Sequence, residues 1–251
     1  MYVDAFFDRQ RDRIHIVERD KNQQRQYYEH QAKYVMYYDD PKGKFKSIYG
    51  NPVSRIQCRS NKDFRREKAL HVNVKTYESD MNPVFRCLEE NYLGQNAPKL
   101  QIAFFDIEVD FDVSRGFSPP EDPFNPVTAI SIYLQWAEQL VTLLVPPKGM
   151  SAEEVKIISD KFDNTFVFDK EEDLLKTFLD LIEDADVLSG WNSEGYDIPY
   201  MVNRVKRVLS KDDTRRFCLF GQLPKERNFE RFGTEQVTFD LIGRVHMDYM
   251  H

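Results

Sequence analysis

Gln101-Ile102-Ala103-Phe104-Phe105-Asp106-Ile107-Glu108-Val109 reads as a single β-strand, and its alternation decides the fold. Successive side chains on a strand point to opposite faces, so Asp106 and Glu108 share one face while Phe105, Ile107 and Val109 share the other. Two carboxylates side by side on an otherwise apolar strand repel each other and lose hydration, and a cation relieves both penalties. Hard oxygen ligands of this kind suit Mg²⁺ or Mn²⁺. The competing reading is a strand end that emerges into solvent, since Asp110 and Asp112 continue the same parity.

Working outward, Val127–Trp136 and Gln139–Val145 read as antiparallel neighbours of this strand. Glu171–Ala185 carries Leu174, Leu175, Phe178, Leu181, Ile182 and Ala185 on one helical stripe. Val187–Trp191 reads as a buried strand, and Ile198–Leu209 as a helix with Ile198, Met201, Val202, Val205, Val208 and Leu209 on its apolar face. Three antiparallel strands followed by alternating helices and strands give an α/β domain with a mixed sheet. Residues 1–99 read differently. Strands at Tyr2–Phe7, Arg13–Glu18, Gln24–Tyr28 and Lys33–Tyr38 are separated by polar turns, and a turn follows at Tyr49-Gly50-Asn51-Pro52. A charged helix over Asn61–Leu70, a strand over His71–Tyr77 and a helix over Asn82–Leu93 complete this part, with Pro83 near the last helix's start and Gly94 just past its end. Gly94-Gln95-Asn96-Ala97-Pro98 marks the boundary. The organisation expected is therefore a smaller β-rich domain over 1–99 and an α/β domain over 100–251. Gln236–His251 still alternates like a core strand at the last residue, which predicts a cut chain.

Bulk properties narrow the class. The chain has 251 residues with 41% hydrophobic and 31% charged residues, as expected of a globular protein. The longest strongly apolar stretch, Leu140–Val145, is far too short for a membrane span, and Asp4, Asp8 and Arg9 interrupt any signal-peptide pattern. Cys58, Cys87 and Cys218 stand far apart, which predicts a reducing, cytoplasmic setting and no zinc cluster. The net charge of −7 is unevenly spread: residues 1–100 hold 19 Lys+Arg and 14 Asp+Glu, and residues 101–251 hold 16 and 28. A basic module can meet a polyanion directly, and an acidic one can meet it through divalent cations. Arg55, Arg59, Lys62, Arg65, Arg66 and Lys68 concentrate the basic charge; they form either a nucleic-acid surface or a solvated helical face.

A second chemical feature is Trp191-Asn192-Ser193-Glu194-Gly195-Tyr196-Asp197-Ile198-Pro199, which joins a buried strand to an amphipathic helix. Asp197 reads as the helix N-cap with Pro199 just inside, so capping alone accounts for it. A ligand role is the alternative. Asn192 and Tyr196 offer an amide and a ring beside it.

Asp106-x-Glu108 on a first strand, followed by Asn192 and Tyr196-Asp197 leading a helix, resembles the first two exonuclease motifs of family B DNA polymerases. Tyr77 through Leu88 and Gly243-Arg244-Val245-His246-Met247-Asp248 are similar to segments flanking those motifs. Tyr49 through Arg55 resembles the N-terminal domain of tailed-phage members. The resemblance implies a ribonuclease H-like 3′→5′ proofreading domain, preceded by the family's N-terminal domain, acting in DNA replication. It implies two divalent ions, Mg²⁺ or Mn²⁺, about 3.5–4 Å apart, one activating a water and one stabilising the departing 3′ oxygen. By position Asp106 bridges the ions, Glu108 serves the nucleophile-side ion and Asp197 the other. Asn192 and Tyr196 orient the terminal nucleotide, and Phe117, after Gly116, stacks on an unpaired base or simply packs its loop. The implied partners are the single-stranded 3′ end of DNA or a primer–template, the palm, fingers and thumb in cis or on a separate chain, and a sliding clamp. No membrane is involved, and the host-cell cytoplasm is the setting if the protein is viral. The family's third motif, a Tyr with an Asp four residues on, is missing, because Tyr249 would need a partner beyond His251. Asp240 and Asp248 remain as late acids, Asp248 reading as a structural hydrogen-bonding group. Two alternatives stay open: a non-catalytic nucleic-acid-binding part of a split polymerase, and a stand-alone exonuclease of the same superfamily.

Overall fold

The computed structural model describes residues 2–147, 149–231 and 233–250. The chain divides into two compact units, Met1–Lys99 and Leu100–His251.

In the first unit, β1 (Tyr2–Asp8), β2 (Arg13–Arg19) and β3 (Arg25–Gln31) form an antiparallel meander. β4 (Tyr34–Asp39), β5 (Phe45–Lys46), β6 (Pro52–Cys58) and β7 (Thr76–Tyr77) form a second sheet in the order β5-β6-β4-β7. Helix α1 (Asn61–Leu70) starts where Ser60 accepts the Asp63 N–H, and α2 (Pro83–Tyr92) where Asn82 accepts the Val84 N–H. Both caps meet donors that a first turn leaves unpaired. Ile14, Ile16, Tyr34, Met36, Phe64 and Tyr92 form the core. The strand expected over His71–Tyr77 shrinks to Thr76–Tyr77, because only Tyr37 and Tyr38 of β4 face it. Val72 and Val74 are β-branched but exposed and have no ladder to join.

The second unit is built on a six-stranded mixed sheet. Its elements are β8 (Ile102–Val109), β9 (Val127–Leu134), β10 (Gln139–Leu144), α3 (Ala152–Lys161), β11 (Thr165–Val167), α4 (Glu171–Leu181), β12 (Val187–Gly190), α5 (Asp197–Val208), β13 (Lys225–Arg231), β14 (Thr234–Asp240) and β15 (Val245–Asp248). The sheet order is β11-β10-β9-β8-β12-β15, while β13 and β14 pair only with each other. β8, β9 and β10 are antiparallel; β12 runs parallel to β8 and β15 parallel to β12. Ala103, Phe105 and Ile107 turn inward against Ile130, Ile132, Phe178, Met201 and Val205, and Phe104, Asp106 and Glu108 turn outward. The strand's alternation is thus realised residue by residue.

Several boundaries differ from expectation; β10, β12 and α5 shift by a single residue at one or both ends, and three differences are larger. β9 stops at Leu134 because the Ala137 N–H turns back to the Leu134 carbonyl. α4 ends at Leu181, although Ile182 and Ala185 stay buried. Gln236–His251 is not one strand: Thr234–Asp240 pairs with Lys225–Arg231, and Val245–Asp248 joins the main sheet. His251 lies outside the described residues. Arg244 closes this corner. Buried, it donates to the carbonyls of Ala185, Arg216, Phe217 and Glu183, a match for the guanidinium's fixed fork of donors. No helix among the described residues is long and apolar enough to cross a membrane.

Candidate active site

β12 is short. Its pairing with β8 ends at Ser189 opposite Phe104, so further along β8 the ladder has no strand on that side. Backbone donors there need another partner. The Ile107 N–H, lying between the two strand acids in sequence, is met by Asp197 Oδ1 at 3.2 Å. That bond brings the start of α5 to the carboxylate strand.

Asp197 is not the N-cap. Tyr196 occupies that position without a side-chain capping bond, and Asp197 is the first helical residue. Its side chain faces into the protein, with 3% of its surface exposed. Burial, followed by repulsion from Asp106, lifts its carboxyl group to about 7, with Asp248 adding to the rise. Among the described residues no Lys or Arg forms an ion pair with Asp106, Glu108 or Asp197, although a buried carboxylate ordinarily has such a partner. Asp106 and Glu108 are exposed on the outer face of β8, and the register shift between Glu108 and Val109 marks a bulge at the strand's end. No three His, Cys, Asp or Glu side chains among the described residues converge on a point that an ion could occupy. The carboxylate oxygens suit a hard cation, but among the described residues they do not form a closed cage.

The nucleotide-side candidates fall on two flanking loops. Tyr196 is partly buried against Tyr200, with ring centroids 5.3 Å apart. Burial, then the neighbouring Tyr200, Asp197 and Glu108, pushes its phenol up to about 12, so it remains a hydrogen-bond donor. Asn192 opens the turn before α5 at φ +55°, its carbonyl accepting the Gly195 and Tyr196 N–H groups. Phe117 is 69% exposed on the loop after β8 and meets Phe111 edge-on at 4.9 Å. That loop is held down by Ser118, whose hydroxyl lies 2.6 Å from the Tyr200 hydroxyl of α5. Asp248 accepts the Glu194 and Met250 N–H groups, the structural use expected of it.

Sequence reasoning missed what holds the turn after β12. A Cβ at Gly190 would lie 2.6 Å from the Phe105 carbonyl oxygen and 3.0 Å from Ser193 Cβ, so only glycine lets this turn fold beneath β8. Gly190→Ala is expected to cost about 1–3 kcal/mol of stability by overpacking. A chemical denaturation midpoint equal to that of the parent would contradict this. A glycine at the end of a buried strand, before a turn, was the available signal.

In the first unit, Arg55, Arg59, Lys62, Arg65, Arg66 and Lys68 are all exposed on β6, α1 and the loop between them. Among the described residues Arg59, Lys62, Arg65 and Arg66 form no ion pair.

A family profile described as "DNA polymerase family B, exonuclease domain" matches residues 48–251. The DNA-directed DNA polymerase of Escherichia phage RB69 is 25% identical over 231 residues, covering 82% of this chain and 25% of that protein. The DNA-directed DNA polymerase of Enterobacteria phage T4 is 32% identical over 85 residues, 33% of this chain and 9% of that protein. The DNA polymerase delta catalytic subunit of Plasmodium falciparum is 26% identical over 211 residues, 78% of this chain and 18% of that protein. The chain thus spans a quarter or less of the length of these relatives. The mixed sheet with its helices is of the ribonuclease H-like type, and the chain also has a separate, smaller antiparallel β region. With the profile covering most of its length, the chain belongs to DNA polymerase family B and carries that family's exonuclease domain.

Proposed function

We propose that residues 100–251 are the editing nuclease of a replicative DNA-directed DNA polymerase, removing mispaired nucleotides from the 3′ end of a DNA strand, and that residues 1–99 are its N-terminal domain. The observation that carries this reading is the bond from the Ile107 N–H to the buried Asp197 carboxylate, which ties the start of a later helix to the strand backbone between Asp106 and Glu108; among the described residues none of these three acids forms an ion pair with Lys or Arg.

Asp106, Glu108 and Asp197 would hold Mg²⁺ or Mn²⁺. When bound, two such ions activate the attacking water and neutralise charge on the phosphate and the departing 3′ oxygen. The protein's own groups position the rest. Asp197 is fixed by the backbone of β8, so its carboxylate is oriented before substrate arrives. Tyr196 keeps its phenolic proton at neutral pH and can donate to the terminal nucleotide or phosphate. Phe111 and Phe117 present exposed rings on which an unpaired base can stack. The exposed cationic surface of β6 and α1 suits the backbone of a DNA strand. The palm, fingers and thumb of the polymerase, in cis or on another chain, are the expected partners. A non-catalytic nucleic-acid-binding role is the second reading, favoured by the lack of three converged ligands among the described residues.

The test is direct. With Mg²⁺ or Mn²⁺ the chain is expected to release 5′-mononucleotides one at a time from the 3′ end of a single-stranded oligonucleotide, slowly for want of a third motif, and to bind Mn²⁺ weakly by electron paramagnetic resonance. If both Mn²⁺ binding and cation-dependent release are absent, the non-catalytic reading is the one left standing. Release from the 5′ end would overturn both.

A further inference from the structure

We propose that His246 is a positioning residue for the carboxylate site, holding Asp197 in place through Ser193. This rests on the editing role assigned above.

The end of β12 and the turn after it, which leads into Asp197, are held to β15 and the residue after it at three points. The Tyr249 N–H donates to the Gly190 carbonyl at 2.8 Å. The Glu194 N–H donates to Asp248 Oδ2 at 3.1 Å. Ser193 Oγ lies 2.8 Å from His246 Nε2. The third contact differs in kind, because Ser193 is wholly buried and its hydroxyl has two neighbours. The other is the Gly190 carbonyl at 3.1 Å, which can only accept. A hydroxyl has one proton; giving it to the Gly190 carbonyl leaves His246 to donate to Ser193 from Nε2, and this Nε2-protonated ring is the form proposed.

Ser193 passes this constraint forward. Its carbonyl accepts the Ile198 N–H at 2.9 Å, closing the first turn of α5 beside Asp197. The path runs from His246 to Ser193, to the first turn of α5, to Asp197, and on to the Ile107 N–H of β8. Groups hydrogen-bonded directly to a ligand are typically worth about 10–100-fold in metal affinity or activity, and His246, acting through Ser193, is expected at the low end of that range. Leucine at 246 would fill the volume without donating. Glutamine places an amide N–H near the position of Nε2.

Three variants of the full chain decide the matter: His246→Leu, Ser193→Ala and His246→Gln. In the parent chain, long-range ¹⁵N–¹H correlation is expected to find His246 neutral and protonated on Nε2. Hydrogen exchange at the Tyr196 and Ile198 amides is expected to quicken in His246→Leu and Ser193→Ala and to return toward the parent rate in His246→Gln. Cation-dependent 3′ hydrolysis is expected to fall about 10-fold in kcat with KM nearly unchanged in the first two, and to recover in the third. A ring protonated only on Nδ1 would overturn the proposal, as would parent-like exchange in His246→Leu, or a glutamine variant as impaired as leucine at equal melting temperature. The parent and Asp106→Ala are run alongside. A parent chain without cation-dependent hydrolysis sinks the editing role alone, since the tautomer and the exchange rates still decide the His246 arrangement.

Discussion

Asp106→Ala is expected to lower cation-dependent release of 3′-terminal nucleotides by ~10³-fold or more, an effect on the scale of losing a principal electrostatic stabiliser of a transition state. The fold should survive. Asp106 sits exposed on the outer face of β8, opposite Ser131 of β9, so truncation opens no core cavity. It also removes a charge that repels Asp197, and the melting temperature of the variant should therefore equal or exceed the parent's. Rate and stability move in opposite directions, which separates lost chemistry from lost folding. In the polymerase proposed to contain this segment, nucleotide addition should persist while editing stops. Rate loss accompanied by a falling melting temperature would instead make Asp106 a structural residue, and an undiminished rate would move the chemistry elsewhere.

Much of this architecture was legible because the decisive elements carry strong periodicity. The alternation over Ala103–Glu108 is reproduced in the burial of each residue, and the stripe of Leu174, Leu175 and Phe178 lies in the core as expected. What escaped reading did so for identifiable reasons. Lys225-Glu226-Arg227-Asn228-Phe229-Glu230-Arg231 is too polar to announce a strand, since it pairs only with β14 in a two-stranded ribbon. Val72 and Val74 announced a strand that had no neighbour to bond to. At the site, the short range of sequence patterns was the limit. The spacing of Asp197 and Pro199 is that of a capped helix, yet the Asp197 side chain is drawn to a backbone donor ninety positions away. Propensity describes the local turn; it cannot know that β12 stops early and leaves the Ile107 N–H open. The tie between Ser193 and His246 spans 53 positions and has no local signature at all.

The second large effect concerns Asp197 and pH. Its carboxyl group is lifted to about 7 in the folded chain, from an ordinary value of 3.8, first by burial and then by Asp106. The sign follows from linkage. Between about pH 4 and pH 7 the folded state keeps this proton while the unfolded chain gives it up, so stability falls as pH rises through that window and levels off above it. At about 1.4 kcal/mol for each unit of pKa, the loss at neutral pH is on the order of 4 kcal/mol. Asp197→Asn removes the ionisation but keeps an oxygen that can accept the Ile107 N–H. The cation-free Asn variant is therefore expected to be more stable than the parent at pH 8 by a few kcal/mol, and nearly equal to it at pH 4. Urea midpoints across pH 4–8 measure the difference, and comparing variant with parent cancels every other titrating group. The same charge that destabilises the fold is the one a divalent ion would neutralise. Added Mg²⁺ or Mn²⁺ should raise the parent's midpoint at pH 8 and leave the variant's almost unmoved, while 3′ hydrolysis disappears from the variant. Equal pH profiles for the two chains would mean that Asp197 ionises normally, and a cation response in the variant as large as the parent's would place the ions on other ligands.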